Sequence, residues 1–566
     1  MEKREYMTID GVPVGISGEK NLLQVIRKAG IELPTFCYHS ELSIFGACRM
    51  CVIEDQWGNL DAACSAQPKA GMEIRTNTER LRKYRKMILE LLLANHCRDC
   101  TTCETSGSCK LQDLATRFKM EGIRFPNTAP EADLDSSSLC IVKDMSKCVL
   151  CGDCVRMCDE VQSVGAIDFA GRGSSATIST AFNQPISESG CVGCGQCAAI
   201  CPTGALIVRN DTQRLWKDIN DKDTKVTAQI APAVRVAIGG QLGLSKGKNA
   251  MGRVVAALRR IGFDEVFDTS TGADLTVMEE SQELLDRLAA NPDGTEYPLF
   301  TSCCPAWVSF AENNYPEVLQ NVSTCRSPIQ MLAAVIKEQH AKTEKRMVHV
   351  SIVPCSAKKF EAARPEFTVD GVPRVDYTIT TNELIQMIKE AGIVFSELEP
   401  EAVDFPLGFM TGSGVIFGVT GGVTEAVLRR ITTDKSFSGL RTLTMSGVRG
   451  MEGVKEASLS VNGRNIRIAM VSGLKNVRDL IEAIKGGERY DFVEVMACPG
   501  GCVSGAGQPY VPESEKIDRG KSLYTADKMH SVKLSEENPL VQSLYKGILK
   551  GREHELLHVH YGSEKH

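Results

Sequence analysis

The spacing of the cysteines constrains this chain more strongly than any other feature of its sequence. The 566 residues include 23 cysteines, and seventeen of them precede residue 202. Disulfides are rare in a reducing compartment, where cysteines clustered at ligand spacing indicate metal sites. The first ten residues contain no apolar signal-peptide core, so we expect a cytoplasmic protein with a cysteine-dense front part and a larger globular rear part.

Composition and charge argue against two classes of partner. The chain is 43% hydrophobic and 24% charged, which is typical of soluble proteins. Its net charge of −6 disfavours a nucleic-acid binder. The longest apolar run, residues 87–95, is too short to cross a bilayer. We therefore expect neither nucleic acid nor membrane as a partner, and the length predicts three or more domains.

Two runs with the spacing C-x2-C-x2-C predict a pair of iron–sulfur clusters. In such runs the first three cysteines bind one 4Fe–4S cluster and the fourth binds the other. Structural zinc, the alternative, usually shows two separated C-x2-C pairs, so the spacing favours iron. The predicted ligands of the first cluster are Cys148, Cys151, Cys154 and Cys201, and those of the second are Cys191, Cys194, Cys197 and Cys158.

Four earlier cysteines are spaced C-x10-C-x2-C-x12-C and predict a 2Fe–2S site. They follow MTIDGVPVGISGEKNLLQVIRKAGI, whose pattern indicates strand, turn, strand and helix. This segment resembles the plant-type 2Fe–2S ferredoxin domain, in the spacing variant of larger redox enzymes. Four buried structural thiols are the alternative, which this spacing disfavours. The predicted ligands are Cys37, Cys48, Cys51 and Cys64.

The segment HCRDCTTCETSGSC, residues 96–109, offers one histidine and three cysteines in the pattern H-x3-C-x2-C-x5-C. It is similar to a run that binds a 4Fe–4S cluster through one histidine in NADH-dehydrogenase large subunits and in iron-only hydrogenases. Cys97 remains an alternative ligand because it adjoins the histidine. The ligands implied by the resemblance are His96, Cys100, Cys103 and Cys109.

The rear part alternates strand and helix patterns. VHVSIVP predicts a strand that leads into Cys355, and RIAMVSG, NVRDLIEAIKGG and DFVEVMA predict a strand, a helix and a strand that leads into Cys498. Such a βαβ unit favours a parallel or mixed sheet flanked by helices. Ligands of such sheets gather at the carboxyl ends of the strands. We therefore expect a site near Cys355 and Cys498.

Three segments of the rear part, TSCCPAW (301–307), VPCSAKKFE (353–361) and EVMACPGGCVSGAGQP (494–509), resemble the signature motifs of iron-only (FeFe) hydrogenases. The resemblance covers essentially the whole chain, including the order of the accessory clusters. It implies the monomeric, ferredoxin-linked class with one 2Fe–2S and three 4Fe–4S accessory clusters. In that family the catalytic cofactor is the H-cluster, a 4Fe–4S cluster bridged to a two-iron unit that carries CO, cyanide and an azadithiolate.

The resemblance also implies which residues hold the H-cluster. Cys502 would bridge the two iron units, and Lys358 would donate a charge-assisted hydrogen bond to a cyanide. The implied ligands of the 4Fe–4S part are Cys304, Cys355, Cys498 and Cys502. The residues implied to line the two-iron unit are Ala231, Pro232, Ala233, Val353, Pro354, Phe417 and Met496.

Cys303, which precedes a ligand, is implied to transfer protons to the amine of the two-iron unit. A thiol with a pKa near 8.5 can give and accept protons near neutrality; a packing thiol is the alternative. MEESQELLDR (278–287) resembles the relay helix of the family, although two glutamates on one helix face are usually solvated. The implied order is Cys303, Glu280, Ser323 and Glu283, ending near Arg287.

Four positions near the implied two-iron unit depart from the common family pattern. They are Ala233, Ala306, Ile329 and Val353, which stands where well-studied members carry methionine. The departures put rate, catalytic bias and oxygen sensitivity in question, but not ligation. We hypothesise that Val353 loosens packing around the two-iron unit, so that Val353→Met changes CO inhibition and oxygen inactivation.

Several other features carry weaker expectations. The basic run ERLRKYRK (79–86) predicts either a docking patch for an acidic carrier or, more commonly, a solvated helix face. The glycines of TGSGVIFGVTGG (411–422) predict close packing rather than a nucleotide loop. The histidines of LLHVHYG (556–562) suggest a surface tail, and PNTAPEADLDSSS (126–138) suggests a linker. Cys140 and Cys325 receive no role.

Together these expectations describe a multidomain α+β enzyme. They comprise a ferredoxin β-grasp (1–79), a His-ligated 4Fe–4S helical module (80–126), a bacterial two-cluster ferredoxin domain (127–210) and a large α/β H-cluster domain with mixed or parallel sheets flanked by helices (211–566). The expected reaction is reversible proton reduction to H2, with ferredoxin or flavodoxin as carrier and maturation enzymes supplying the two-iron unit. The alternatives are an H2 sensor, an electron-input subunit of an NADH- or formate-dehydrogenase-like complex, and an iron–sulfur assembly protein on the same fold.

Overall fold

In the first strand Met7 and Ile9 are buried on one face while Glu5 is exposed, as expected for a sheet with one covered face. The structure is a computed structural model that describes residues 5–130, 134–291, 297–461 and 463–562. The first elements are β1 Glu5–Ile9, β2 Val12–Ile16, α1 Leu22–Lys28, β3 Val52–Asp55, β4 Leu60–Ala62 and β5 Glu73–Arg75. They form a five-stranded sheet with the order β2-β1-β5-β3-β4. The predicted succession of strand, turn, strand and helix is confirmed.

Two helices follow this sheet, α2 Glu79–Ala94 and α3 Lys110–Arg117. The side chain of Thr78 caps α2 by accepting the N–H of Leu81 at 3.2 Å. The buried guanidinium of Arg85 fastens α2 to the first sheet by donating to the carbonyl oxygens of Met50, Val52 and Thr76. The helix therefore lies directly on the loop that carries Cys51.

The next segment contains a small sheet and two short helices that follow the C-x2-C-x2-C runs. The elements are β6 Leu134–Asp135, β7 Ile141–Asp144, α4 Asp153–Arg156, β8 Asp168–Ala170, β9 Thr177–Ser179, α5 Gln196–Ile200 and β10 Leu206–Val208. Strands β10, β7 and β6 form one sheet, and β8 pairs with β9. The predicted linker is wrong at its end, because Leu134 and Asp135 pair with β7; residues 131–133 lie outside the described residues.

The rear part opens with a parallel sheet. Its elements and those around it are α6 Thr212–Ile219, β11 Thr224–Ile230, α7 Val234–Ala237, α8 Met251–Ile261, β12 Glu265–Asp268, α9 Ser270–Ala290, β13 Leu299–Phe300, α10 Pro305–Asn314, α11 Pro328–Gln339, β14 Arg346–Val353, α12 Ala357–Ala362, β15 Thr368–Val369, β16 Val372–Pro373, β17 Tyr377–Thr380 and α13 Thr381–Glu390. The order β12-β11-β14-β17 is parallel throughout. Helices cover both faces, so even polar residues of these strands, such as Gln229, His349 and Ser351, are completely buried.

A second sheet completes the rear part. The remaining elements are α14 Gly412–Val415, α15 Gly422–Ile431, α16 Phe437–Leu443, β18 Val454–Val461, β19 Arg464–Ser472, α17 Leu474–Lys485, β20 Phe492–Met496, α18 Glu513–Met529, α19 Pro539–Lys546 and α20 Glu553–Leu557. The order is β13-β20-β19-β18, with only β18 antiparallel. The predicted βαβ unit is confirmed as β19, α17 and β20.

The strand that precedes Cys355 and the strand that precedes Cys498 belong to different sheets. Strand β14 lies in the parallel sheet, whereas β20 lies in the second sheet. The site near these cysteines therefore lies between the carboxyl ends of two sheets. Within the described ranges, no helix is both long enough and apolar enough to cross a membrane.

Candidate metal centres and active site

The four cysteines of the first sheet region lie as two contacting pairs. The Cys48 backbone N–H donates to the Cys37 sulfur at 3.3 Å, and the Phe36 N–H donates to the Cys48 sulfur at 3.4 Å. A hydrogen bond from the Cys37 thiol lowers the pKa of Cys48 to about 5. A bond from Cys64 likewise lowers the pKa of Cys51. Thiolates with backbone donors aimed at sulfur are what an iron–sulfur cluster requires.

His96 faces a cavity that is also lined by Cys100, Cys103 and Cys109. Its Nε2 atom is buried, and no hydrogen-bond partner for it is found in the described part of the chain. Burial lowers the pKa of His96, so the ring is neutral and can act as a ligand. A metal-bound Nε2 leaves the proton on Nδ1, which the Arg98 N–H faces at 3.2 Å. Ligation therefore requires that this N–H turn away.

The same cavity is bordered by Gly204 and by Cys97. A Cβ added at Gly204 would lie 3.2 Å from the Cys103 sulfur, so the backbone approaches this thiol as closely as glycine allows. Cys97 also lines the cavity, and its sulfur lies 3.8 Å from His96 Nδ1. Cys97 thus stays an alternative to His96.

The first crossed set of cysteines comes together as predicted. A cavity is lined by Cys148, Cys151, Cys154 and Cys201, so the fourth cysteine of the second run faces the first three of the first run. Burial raises the pKa of Cys151 and Cys154. A cluster that neutralises buried thiolates offsets this cost.

The second crossed set is equally close. The pKa of Cys197 is raised by burial and then by Cys194, Cys191 and Cys158. Backbone N–H groups of Ala166 and Gly193 donate to the sulfurs of Cys158 and Cys191 at 3.3 and 3.4 Å. In a tetrahedral zinc site with Zn–S bonds of about 2.3 Å, the sulfur atoms of the ligands would lie about 3.8 Å from one another. In the part of the chain that the structure describes, no three His, Cys, Asp or Glu residues form a single-ion group.

The rear cysteines converge from both sheets. Cys304 begins α10 after β13, Cys355 follows β14, and Cys498 and Cys502 follow β20. Burial raises the pKa of Cys498, and Cys355, Cys304 and Cys502 raise it further. The Ala497 N–H donates to the Cys304 sulfur at 3.4 Å. These four thiols could hold a cubane between the two sheets.

A side chain of the front part reaches this group. Gln196, at the start of α5, donates from Nε2 to the Cys498 sulfur at 3.1 Å and to the Ser504 carbonyl at 3.2 Å. Gln196 lies between Cys194 and Cys197 in the sequence. The second crossed set and the rear set are therefore joined by one hydrogen-bonded side chain, which no spacing rule predicts.

The residues implied to line the two-iron unit lie at neighbouring strand ends. Ala231, Pro232 and Ala233 follow β11, and Val353 and Pro354 end the adjacent β14. Glycines fit closely against them, since a Cβ at Gly505 would lie 2.2 Å from the Pro354 oxygen. The structure also brings together, in one apolar cluster, Cys303, Phe417 and Met496.

The glycines of residues 411–422 permit close packing, as predicted. A Cβ at Gly418 would lie 3.2 Å from Ala233 Cβ, and one at Gly414 would lie 2.3 Å from the Ser270 oxygen. This segment thus packs between the implied cofactor pocket and α9.

Two of the four departures from the family pattern lie in the same apolar cluster. Val353 and Ile329 share one small apolar cluster, and Val353 is completely buried. A β-branched Ile beside a small Val keeps the volume of the cluster filled. The effect of Val353→Met on inhibitor access stays a prediction.

Lys358 is charged and held by a partner that sequence reasoning missed. Its Nζ donates to both carboxylate oxygens of Glu361 at 2.9 Å and to the Cys303 carbonyl at 3.0 Å. Burial by itself lowers the pKa of Lys358, but Glu361 outweighs it and the pKa lies above its usual value. The signal was present, because residues 358 and 361 are three apart on a helix.

Glu280 is completely buried, so the usual solvated role of a glutamate is wrong here. Among the described residues, none lies in good hydrogen-bond geometry to either carboxylate oxygen. Burial raises the pKa of Glu280 to about 8, with the charge of Glu283 adding to the effect. Burial thus favours the protonated form of Glu280, whereas Ser323 and the Ser302 N–H act on the pKa in the opposite direction.

Ser323 and Glu283 are joined by a hydrogen bond near Glu280. The Ser323 hydroxyl donates to Glu283 at 2.7 Å, and the Thr324 N–H donates to the same carboxylate at 3.1 Å. Ser323 is also close enough to Glu280 to influence its pKa. Arg287 lies one turn further along α9 and donates to the Tyr297 carbonyl at 3.2 Å.

The environment of Cys303 differs from the expectation of an ordinary thiol. Burial, followed by the charges of Glu280 and Cys304, raises the pKa of Cys303 well above its usual value. The thiol is therefore protonated at neutral pH and is a donor in its resting state. Its neighbours place it between Glu280 and the rear cysteines.

The C-terminal histidines are not simply a surface tail. His558 lies 2.9 Å from Glu279 and 2.8 Å from the Thr324 hydroxyl. The carbonyl of His558 accepts the Arg326 Nε–H at 2.7 Å. Cys325, which received no role, is fully buried with its sulfur 3.9 Å from Glu283. Sequence reasoning missed these contacts because their partners are far apart in the chain.

Cys140, the other thiol without a role, is a packing residue. It is buried in the core around the crossed cysteine sets. A Cβ at Gly193 would lie 2.6 Å from its sulfur, so the ligand loop approaches Cys140 closely.

Comparison with known families agrees with this geometry. The model described as iron-only hydrogenase large subunit, C-terminal domain, matches residues 224–506, and the iron hydrogenase small subunit model matches residues 513–564. The front part matches a 2Fe-2S cluster binding domain (6–79), an NADH-ubiquinone oxidoreductase-G iron-sulfur binding region (85–124) and a 4Fe-4S dicluster domain (147–205).

Individual relatives extend over nearly all of the chain. The NADP-reducing hydrogenase subunit HndD of Solidesulfovibrio fructosivorans is 40% identical over 98% of both chains. Iron hydrogenase 1 of Clostridium pasteurianum is 34% identical over 98% of this chain and 99% of the relative. A solved structure of the FeFe hydrogenase HydA1 of Chlamydomonas reinhardtii has a TM-score of 0.54 and 38% identity, covering 62% of this chain and 99% of that one.

Proposed function

This chain belongs to the iron-only hydrogenase family, and we propose that it catalyses the reversible combination of two protons and two electrons to H2 with ferredoxin or flavodoxin as its carrier. Hydrogenase activity on iron–sulfur clusters follows from the family. The donor, the number of clusters and the role of each residue are the finer parts of the proposal.

The accessory clusters would conduct electrons from the front part to the rear part. We assign one 2Fe–2S cluster to the domain 1–79, one His-ligated 4Fe–4S cluster to 80–126 and two 4Fe–4S clusters to 127–210, with the ligands given above. The cavities lined by the predicted cysteines support these assignments. The Gln196 bridge supports electron transfer from the second crossed set to the rear set.

The domain 211–566 would hold the H-cluster between its two sheets. Cys304, Cys355, Cys498 and Cys502 fit the cubane part, because they converge while buried and accept N–H donors. When bound, the H-cluster supplies the redox centre at which protons and electrons combine. The ammonium of Lys358 would stabilise the anionic ligands of the two-iron unit from its fixed position on Glu361.

Proton delivery is the task of the chain itself. The Cys303 thiol, protonated because burial raises its pKa, would donate to the cofactor. Glu280 would return a proton to the Cys303 sulfur, and Ser323 would pass the next proton from Glu283 to Glu280. Arg287 would stand at the outer end. In H2 oxidation the same groups would carry protons outward.

One observation carries the proposal. Glu280 is completely buried, its pKa is raised, and it neighbours both Cys303 and the hydrogen-bonded pair of Ser323 and Glu283. A buried carboxyl costs stability, so a chain retains it where it has a task.

The carrier is the least constrained part. A relative at 40% identity is named as a subunit of an NADP-reducing hydrogenase, which raises a second possibility, namely that a partner subunit supplies the electrons. We place the protein in the cytoplasm and expect maturation enzymes to supply its two-iron unit.

The direct test is anaerobic H2 evolution from reduced methyl viologen by protein co-produced with hydrogenase maturation enzymes. The same protein produced without them is the control, because it would hold the iron–sulfur clusters but not the two-iron unit. Evolution only after maturation supports the proposal. No evolution from matured, fully iron-loaded protein would instead favour a sensor or an assembly protein.

A further inference from the structure

Helix α2 carries an apolar stripe on its exposed face. Tyr84, Met87 and Leu91 are spaced i, i+3 and i+7 and are 38%, 39% and 49% exposed. Trp57, at the neighbouring β3–β4 turn, is 75% exposed. Arg80 joins the two features by donating to the Gly58 carbonyl at 2.7 Å. A solvated helix face does not need such a stripe, and contiguous exposed apolar side chains mark interaction sites.

Basic side chains also lie on the exposed surface of α2, with Arg80 and Lys83 next to the stripe and Arg82 and Lys86 further round the helix. Arg80, Arg82, Lys83 and Lys86 are exposed on α2, where Glu79 is paired with Lys83 at 2.8 Å and Glu54 with Arg80 at 3.6 Å. The excess of positive charge is local, because the whole chain has a net charge of −6. We call the four apolar residues and four basic residues of these two paragraphs the α2 surface. Its charge is complementary to an acidic protein and repels a basic one.

The α2 surface lies over predicted cluster ligands. On the inner side of the helix, Arg85 donates to the carbonyls of Met50 and Val52, which flank Cys51. Leu89 packs in one apolar cluster with Cys37 and Cys109. A helix with its side chains is about 10 Å across. A redox centre docked on the outer face would therefore be separated from the front cysteines by about one helix.

We propose that the α2 surface docks an acidic electron-carrying protein and is the place where electrons reach this chain. The proposal rests on the proposed hydrogenase function. Apolar contact at the centre would hold the complex, and the basic rim would orient the carrier and speed its association. A second copy of this chain is a less favoured partner. In a symmetric dimer the α2 surface would face the same surface of the other copy, and the two sets of positive charges would repel each other.

The test compares two electron sources on the matured full-length enzyme. An acidic bacterial two-cluster ferredoxin requires docking, whereas reduced methyl viologen is a small molecule. The charge variant is Lys83→Glu with Lys86→Glu, the apolar variant is Trp57→Ser with Leu91→Ser, and the matched control is Lys342→Glu with Lys345→Glu on an exposed turn of the rear part. We measure H2 evolution against ferredoxin concentration at low and high salt.

The ratio of ferredoxin-supported kcat/KM to the viologen-supported rate should fall about tenfold in the charge variant, equal to about 1.4 kcal/mol. In that variant the ratio should also decrease less with rising salt than it does in the parent. The apolar variant should lose a similar factor at both salt concentrations, and the control should match the parent. Unchanged ratios in both variants would overturn the proposal. The proposal would also be overturned if the parent used viologen but not ferredoxin, or if the parent were a dimer that dissociated only in the variants. A parent that is inactive with viologen would instead refute the hydrogenase function itself.

Discussion

Glu280 shows at the scale of one residue how the fold sets chemistry. Its position three residues before Glu283 is readable from the sequence, but its burial is not. Helices α11, α14 and α15 pack on α9, and the Glu280 side chain is completely buried. Because desolvation disfavours the charged form, the pKa rises to about 8.

The raised pKa of Glu280 predicts a pH dependence of stability. An unfolded glutamate titrates near 4.3, so between about pH 4.3 and 8 the folded chain keeps a proton that the unfolded chain releases. Stability is therefore lost as pH rises through this window. Glu280→Gln cannot titrate, so its melting temperature relative to the parent should increase from pH 5 to pH 8.

Anaerobic thermal unfolding at several pH values measures this difference. Glu399→Gln, at an exposed position, is the control and should follow the parent at every pH. Parallel curves for Glu280→Gln and the parent would contradict the burial effect. In the matured enzyme the same change should reduce H2 evolution by about 100-fold or more, the usual size of a lost acid–base step.

At the scale of secondary structure, α9 is the element on which the proposed proton path depends. Its 21 residues carry Glu280, Glu283 and Arg287 on successive turns. Short helix α14 packs against it so closely that only glycine fits at residue 414, where a Cβ would lie 2.3 Å from the Ser270 carbonyl oxygen. Backbone atoms on both sides leave little room for relief.

Gly414→Ala should therefore destabilise the protein by about 1–3 kcal/mol, the usual cost of overpacking a core. Gly240→Ala is the matched control, because its Cβ would meet only ordinary contacts at 3.7 Å or more. Anaerobic thermal melts of the two variants should separate clearly. Equal melting temperatures would mean that α14 and α9 can move apart without cost.

Local sequence patterns predicted most elements, because the spacing of apolar residues and the residues that end a helix or strand all lie within one segment. The strands before Cys355 and Cys498 and the helix between β19 and β20 are examples. The contact of His558 with Glu279 spans 279 positions of the chain, and no local signal encodes it. The strand at Leu134 was missed because its pairing partner, and not its polar sequence, makes it a strand.

At the scale of the whole molecule, the front and rear parts are joined at their metal sites. Gln196 belongs to the front part, yet it donates to the sulfur of Cys498 in the rear part. Cysteine spacing predicted the two crossed sets of thiols, whereas the rear set was implied by the resemblance to the hydrogenase motifs. Spacing could not predict that the rear set would gather from two different sheets, since this depends on how the sheets pack.

The Gln196 bond predicts an effect on redox potential. A donor to a cluster sulfur favours the reduced, more negative state. Gln196→Leu should therefore make the potential of the rear cluster more negative. Gln162→Leu is the matched control, because the buried Gln162 donates to the carbonyl of Ala497 rather than to a sulfur. Redox titration followed by electron paramagnetic resonance measures both; equal shifts would contradict a specific role of the bond to sulfur.

The central claim is that the Cys303 thiol carries the proton to the cofactor, and the most direct measurement is H2 evolution from reduced viologen by Cys303→Ala. The variant and the parent are matured in the same way and matched by iron content and by the infrared bands of the CO and cyanide ligands. We predict fast evolution by the parent and near-zero evolution by the variant at equal loading. Equal rates would contradict the role of Cys303 and with it the proposed order of the proton path.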